Sequence, residues 1–92
     1  MFLKKKTLFC EAIYIKEADN LIITFSNNTN LAVFKKTLQQ NEVDFLSGTN
    51  NSITVLYDKI SKLPDDFFQN FPGLFNTINN AVNSRNTYNN PI

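Results

Sequence analysis

The sequence predicts an α+β domain: a small two-layer sandwich in which an antiparallel sheet of about four strands carries two or three helices on one face. Between Leu21 and Asp58, apolar residues recur with a period of two, then near 3.6, then two again. This order is typical of strand, helix, strand, strand. After Asp58, aromatic residues recur at helical spacing. The 92 residues are 42% hydrophobic and 18% charged, which indicates one globular domain.

The first two strands are predicted as a hairpin. Residues 7–17 are rich in β-forming side chains, but neither face is cleanly polar, so the buried face stays open. Asp19 and Asn20 both tolerate the left-handed conformation and are predicted to form a tight turn. Residues 21–26 then return as the second strand.

A helix is predicted after the polar loop at 26–30. Thr29 or Asn30 is a suitable N-cap, and the helix should begin at Leu31 and stop near Asn41. Two short strands follow, at 43–45 and 53–57, because their apolar residues alternate. The predicted core comprises Leu21, Ile23, Phe25, Leu31, Phe34, Leu38, Val43, Phe45, Ile53, Val55 and Tyr57.

The C-terminal part is predicted to be helical. Pro64 suits a first helical position, and the acidic residues behind it suit the positive end of a helix dipole. Pro72-Gly73 should interrupt the helical spacing, giving helices at 64–70 and 73–83. Residues 84–92 have no period, so we expect a domain over 1–83 and a flexible tail over 84–92.

The order β-β-α-β-β-α contains most of a ferredoxin-like split βαβ unit, with an extra N-terminal strand. The segment from 21 to about 70 resembles the small metal-carrier and regulatory domains of that superfold. Those metal carriers place Cys-x-x-Cys in the first strand–helix loop, where this chain has residues 26–30 with no cysteine. The resemblance therefore implies a fold but no metal site, and we expect no cofactor.

Composition argues against several classes of partner and location. Nine basic and eight acidic residues give a net charge of +1, and Arg85 is the lone arginine, so we expect no nucleic-acid partner. No apolar run is long enough to cross a membrane, and the apolar stretch after the N-terminal lysines is broken at Glu11 and Lys16. These features predict a cytoplasmic protein without a membrane partner.

The chain offers little for catalysis. It has no histidine, and its single thiol, Cys10, therefore lacks the usual base; a small core residue is the better interpretation. Asp65 and Asp66 are adjacent, so on a helix their carboxylates point about 100° apart. The loop at 27–30 precedes a helix N-terminus but contains no glycine, which favours capping over anion binding. We expect no catalytic residue and no enzyme.

The phenylalanines between 67 and 75 leave two interpretations open. They form the second layer of core, or some of them face a partner, because adjacent Phe67 and Phe68 cannot both be buried on one narrow helix face. The candidate partner-binding residues are Phe67, Phe68 and Phe71.

The resulting hypothesis is a non-enzymatic protein–protein interaction module that acts through a sheet edge or the aromatic helices. A composition rich in Asn, Lys, Ile and Phe is typical of AT-rich genomes, which suggests a phage or mobile-element accessory or inhibitor protein. A protein partner is expected, and a homodimer through a sheet edge is a further option. The alternative is a small-ligand sensor or regulatory subunit of ferredoxin-like fold.

Overall fold

A computed structural model describes residues 10–88, with side chains described as far as Ser84. The strands in this range are β1 (Cys10–Ile15), β2 (Asn20–Phe25), β3 (Phe45–Ser47) and β4 (Ser52–Leu56). The helices are α1 (Asn28–Gln40), α2 (Tyr57–Ile60), α3 (Asp65–Gln69) and α4 (Leu74–Tyr88). A 3₁₀ turn over Lys16–Ala18 separates the first two strands.

The four strands form one antiparallel sheet in the order β1-β2-β4-β3. Strands β2 and β3 are each antiparallel to β4, so they run parallel to one another with β4 between them. The predicted α+β class with an antiparallel sheet is confirmed. The ferredoxin-like order stays a prediction. The ferredoxin-like pattern ends in a strand, whereas in this chain the additional strand β1 comes before the split βαβ unit and lies beside β2.

One face of the sheet and the inner sides of the helices make a single core. Alternation along β2 directs its odd-numbered residues into this core, where Leu21 and Ile23 are fully buried. Most of the predicted core residues are buried, but Phe45 and Tyr57 are half-buried. The buried core consists of Leu21, Ile23, Phe25, Leu31, Phe34, Leu38, Val43, Ile53, Val55, Ile60, Phe67, Phe71, Leu74 and Ile78.

Phe34 of α1 lies at the centre of this core. Its ring centroid is 5.1 Å from that of Phe25 on the sheet, 5.8 Å from Phe67 and 5.2 Å from Phe71. These separations are within the range of favourable aromatic pairs. Phe34 therefore joins the sheet to the C-terminal helices, and the phenylalanine-rich segment contributes to the same core.

Helix α1 begins earlier than predicted. Its N-cap is Asn27, not Thr29 or Asn30, because the Asn27 Oδ1 atom accepts a hydrogen bond from the Asn30 backbone N–H at 2.9 Å. At its other end the helix stops at Gln40, close to the predicted position.

The end of α1 is a Schellman motif. The Glu42 N–H donates to the Gln39 carbonyl and the Val43 N–H donates to the Leu38 carbonyl, with Glu42 in the left-handed conformation at φ 61°. Val43 and Leu38 are both buried, which supplies the apolar contact of this motif. Val43 thus closes α1, and the third strand lies at 45–47 instead of the predicted 43–45.

The first hairpin also differs in detail. The described part of its first strand ends at Ile15, and the predicted positions 7–9 lie outside the described residues. The connection is the 3₁₀ turn followed by Asp19, which has φ 54°, whereas Asn20 already belongs to β2.

Three C-terminal predictions need correction. Tyr57 starts α2 and is not a strand residue, because the chain turns into a helix directly after β4. Pro64 is the N-cap of α3, one position before the helix. Helix α4 continues to Tyr88, beyond the predicted end at 83, so 84–88 are helical backbone. The last residues, 89–92, lie outside the described range.

Candidate interaction surface

Cys10 has the environment of a packing residue. It is half-buried at the start of β1 and contacts the core. Burial raises the pKa of its thiol; a hydrogen bond with Thr77 opposes that rise, and the Glu11 carboxylate adds to it. A raised pKa leaves less thiolate at neutral pH, which is the reverse of what a nucleophilic cysteine needs.

The loop at 27–30 is occupied by its own capping interactions. The Asn30 N–H donates to the Asn27 side chain, and the Leu31 N–H donates to the Asn27 carbonyl oxygen at 3.3 Å. The Asn30 N–H is one of the N-terminal donors that an anion would need, whereas the Leu31 bond is the first ordinary hydrogen bond of the helix. Asp65 and Asp66 occupy the first turn of α3 and are exposed, as expected for residues that favour a helix start.

Within residues 10–88, no group of three or more metal-ligating side chains is close enough together to hold a metal ion. None of the helices in the same range combines the length and the apolar character required to cross a bilayer.

The predicted aromatic site is divided between the core and the surface. Phe67 and Phe71 are each 3% exposed and belong to the core cluster. Phe68 is half-buried, and its ring makes an edge-to-face contact with Phe75 at 5.2 Å. Phe75, which was not among the candidates, is the more exposed of this pair.

A larger apolar surface lies on the opposite side of the molecule, on the outer face of the sheet. The strand register brings Ile13, Ile22, Thr54 and Leu46 into one row that crosses all four strands. Alternation places these residues on the side away from the core. Ile13 is 60% exposed and Leu46 is 70% exposed.

A second row adjoins the first and carries Ile15, Asn20 and Leu56. Leu56 is 42% exposed, and Ile15 is half-buried. We call the apolar members of both rows the outer apolar face. It consists of Ile13, Ile15, Ile22, Leu46 and Leu56.

The helices of the described chain pack on the other side of the sheet. The buried residues of α1, α2 and α3, and the buried Leu74 and Ile78 of α4, all belong to the single core cluster. No member of the outer apolar face belongs to that cluster or to the half-buried residues that pack against it. Within residues 10–84 the sheet is therefore covered on one face and open on the other.

The outer apolar face has charged residues only at its margins, among the described residues, and is not flat. A third row, Glu11, Thr24 and Ser52, borders it, and two acidic residues lie at its margin: Glu11 in this third row and the exposed Asp44 just before β3. A depression of about 190 Å³ lies over β4 and β3, and its lining includes Thr54, Leu46, Leu56 and the acidic Asp44.

The sequence carried one signal for this surface. In residues 7–17, apolar side chains occupy both faces of the strand, so one face had to remain apolar whichever face was buried. The sequence carried no such signal for Leu46. Apolar alternation predicted the third strand at 43–45, whereas β3 begins two residues later, at Phe45.

Comparison of the chain with protein-family models, with curated proteins and with solved structures gave no match.

Proposed function

We propose that this chain is a non-enzymatic protein-interaction module that binds its partner through the outer apolar face. The observation that carries the proposal is the row from Ile13 to Leu46, which presents exposed apolar side chains at both edges of the sheet. Single exposed apolar residues are ordinary, but a contiguous apolar patch is typical of an interaction site.

Energetics supports a protein partner for this face. Full burial of one Leu or Ile side chain stabilises a complex by roughly 1.5–3 kcal/mol before the costs of association are subtracted. Several such residues in one layer would supply a binding free energy that a single exposed side chain cannot. The absence of charge in the central row also means that little desolvation opposes burial.

The aromatic pair Phe68–Phe75 is a weaker candidate for the same role. Phe68 is half-buried and packs edge-on against Phe67 at 5.0 Å, so much of its surface is already used in the core. This leaves Phe75 as a single exposed ring, a smaller surface than the outer apolar face.

We propose that such a module has an accessory or inhibitor role in the cytoplasm. The chain is small, and its apolar face is suited to occluding a partner. Its composition is typical of phage and mobile-element proteins. The small-ligand alternative is less well supported, since the Asn27 side chain already accepts from the Asn30 N–H of the loop at 27–30.

A photo-crosslinking residue at Leu46 tests the proposal in the source cells. The matched control carries the same residue at Val33, which is half exposed on α1 and lies outside the outer apolar face. We expect a discrete protein adduct from the Leu46 position and none from Val33. Equal yields at the two positions, or no adduct at Leu46, would contradict the proposal.

A further inference from the structure

We infer that the outer apolar face binds a second copy of this chain, so that two sheets stack face to face. This inference rests on the proposed function, because it places a second copy on the same surface, where another protein partner would have to displace it. Two stacked sheets are a common way to bury apolar sheet faces, with the strands of the two layers nearly aligned and the layers about 10 Å apart.

The row that crosses the sheet is complementary to itself. Consider a two-fold axis that runs parallel to the strands, midway between the two stacked sheets and level with the gap between β2 and β4. This axis places β1 of one copy against β3 of the other. Ile13 then meets the partner's Leu46, and both side chains are the most exposed members of the row.

The same axis pairs the two central strands. Ile22 on β2 lies opposite the partner's Thr54 on β4, where the depression of about 190 Å³ is situated. A large side chain therefore faces a small one. The two-fold symmetry makes this contact twice, because the partner's Ile22 also lies opposite Thr54 of the first copy. Interdigitation of large and small residues is how apolar layers reach high packing density.

Charge does not oppose this arrangement. The two copies of Glu11 lie on opposite edges of the stacked pair, and so do the two copies of Asp44, since β1 and β3 are separated by about 14 Å at a strand spacing of about 4.8 Å. That separation exceeds the screening length of about 8 Å at physiological ionic strength. With a net charge of +1 per chain, long-range repulsion between copies is also weak.

The size of the face predicts a reversible dimer. Four strands at about 4.8 Å and five residues at about 3.4 Å give a footprint of about 320 Å². This is smaller than the roughly 800 Å² per partner of a standard stable interface, so the interface belongs to the weak, transient class. We therefore expect monomer–dimer exchange at micromolar to millimolar concentrations, not a permanent dimer.

Sedimentation equilibrium of the 92-residue chain over that concentration range tests the inference. We expect wild type to shift from the mass of one chain to that of two, and Ile13→Lys and Leu46→Glu each to remain monomeric. An equimolar mixture of these two variants should dimerise again, because the heterodimer pairs Lys with Glu at one contact and retains Ile13 against the partner's Leu46 at the other.

Val33→Lys is the matched control, and its dimerisation should equal that of wild type. Circular dichroism of each variant verifies folding; both mutated side chains are largely exposed, so the fold should be kept. A wild-type chain that stays monomeric at every concentration overturns the inference. The proposed function would still stand if the crosslinking residue at Leu46 gave an adduct with a different protein. A mixture that fails to dimerise overturns the two-fold arrangement.

Discussion

The Tyr14 hydroxyl donates a hydrogen bond of 2.6 Å to the Asp19 Oδ1 atom, which ties the edge strand to the turn that follows it. The other carboxylate oxygen of Asp19 accepts from the Asp58 N–H at 3.2 Å, in the first turn of α2. The Asp19 carbonyl oxygen accepts from the Tyr57 N–H at 2.9 Å. One turn residue therefore caps a helix that begins 38 residues further along the chain.

Removal of this cap should destabilise the fold measurably. Asp19→Ala loses both side-chain hydrogen bonds and places alanine at φ 54°, so we expect a loss of about 1–3 kcal/mol in the free energy of unfolding. Asp19→Asn keeps an acceptor oxygen and tolerates the left-handed conformation, so its loss should be smaller. Urea denaturation measures both, and unchanged stability in both variants would show that the side-chain cap contributes nothing.

The same contact predicts a pH dependence. The hydrogen bond to Asp19 raises the pKa of Tyr14, with desolvation and the nearby charges of Asp19 and Tyr57 adding to the rise. Because the neutral hydroxyl is favoured in the folded state, its contribution is fully present below the usual tyrosine pKa and is lost as pH rises through the raised value.

Tyr14→Phe isolates this effect. The difference in unfolding free energy between wild type and Tyr14→Phe should be constant near neutral pH and should shrink in the alkaline range. Denaturation at a series of pH values measures it. A difference that grows with pH, or that does not change, would mean that the Tyr14 hydroxyl is not held by Asp19.

The end of α1 offers a stabilising substitution. Glu42 is exposed and holds φ 61°, a conformation that costs most L-residues about 1–2 kcal/mol and glycine almost nothing. Glu42→Gly should therefore raise the free energy of unfolding by about 0.5–1 kcal/mol after the entropy of the glycine is counted. Lys36→Gly, an exposed position inside α1, is the control and should lower it by about 1 kcal/mol. A loss of stability in both variants would contradict the motif.

Local patterns were sufficient to predict the scaffold. The alternation of Leu21, Ile23 and Phe25 and the helical spacing of Leu31, Phe34 and Leu38 both identify buried faces, and all six residues are buried. Such patterns work because one side of each element is covered and the other is not. The break at Pro72-Gly73 likewise separates α3 from α4.

Local patterns lack two kinds of information: contacts between distant segments, and the choice among neighbouring residues that are equally good helix caps. The cap of α2 by Asp19 joins segments far apart in sequence, so neither segment contains a signal for it. The start of α1 depended on which of several adjacent Asn and Thr residues caps it, and all are good caps. The outer apolar face needs the strand order, because Ile13 and Leu46 share a row only after β1 and β3 are assigned to opposite edges.

Methyl NMR of the isotopically labelled chain across a concentration series tests the central claim most directly, because it shows which face changes on association. We expect the signals of Ile13, Ile22 and Leu46 to shift with concentration, while those of Val33 and the fully buried Ile60 stay constant. Constant signals across the outer apolar face, or shifts confined to Val33 and the α4 side of the molecule, would contradict the account.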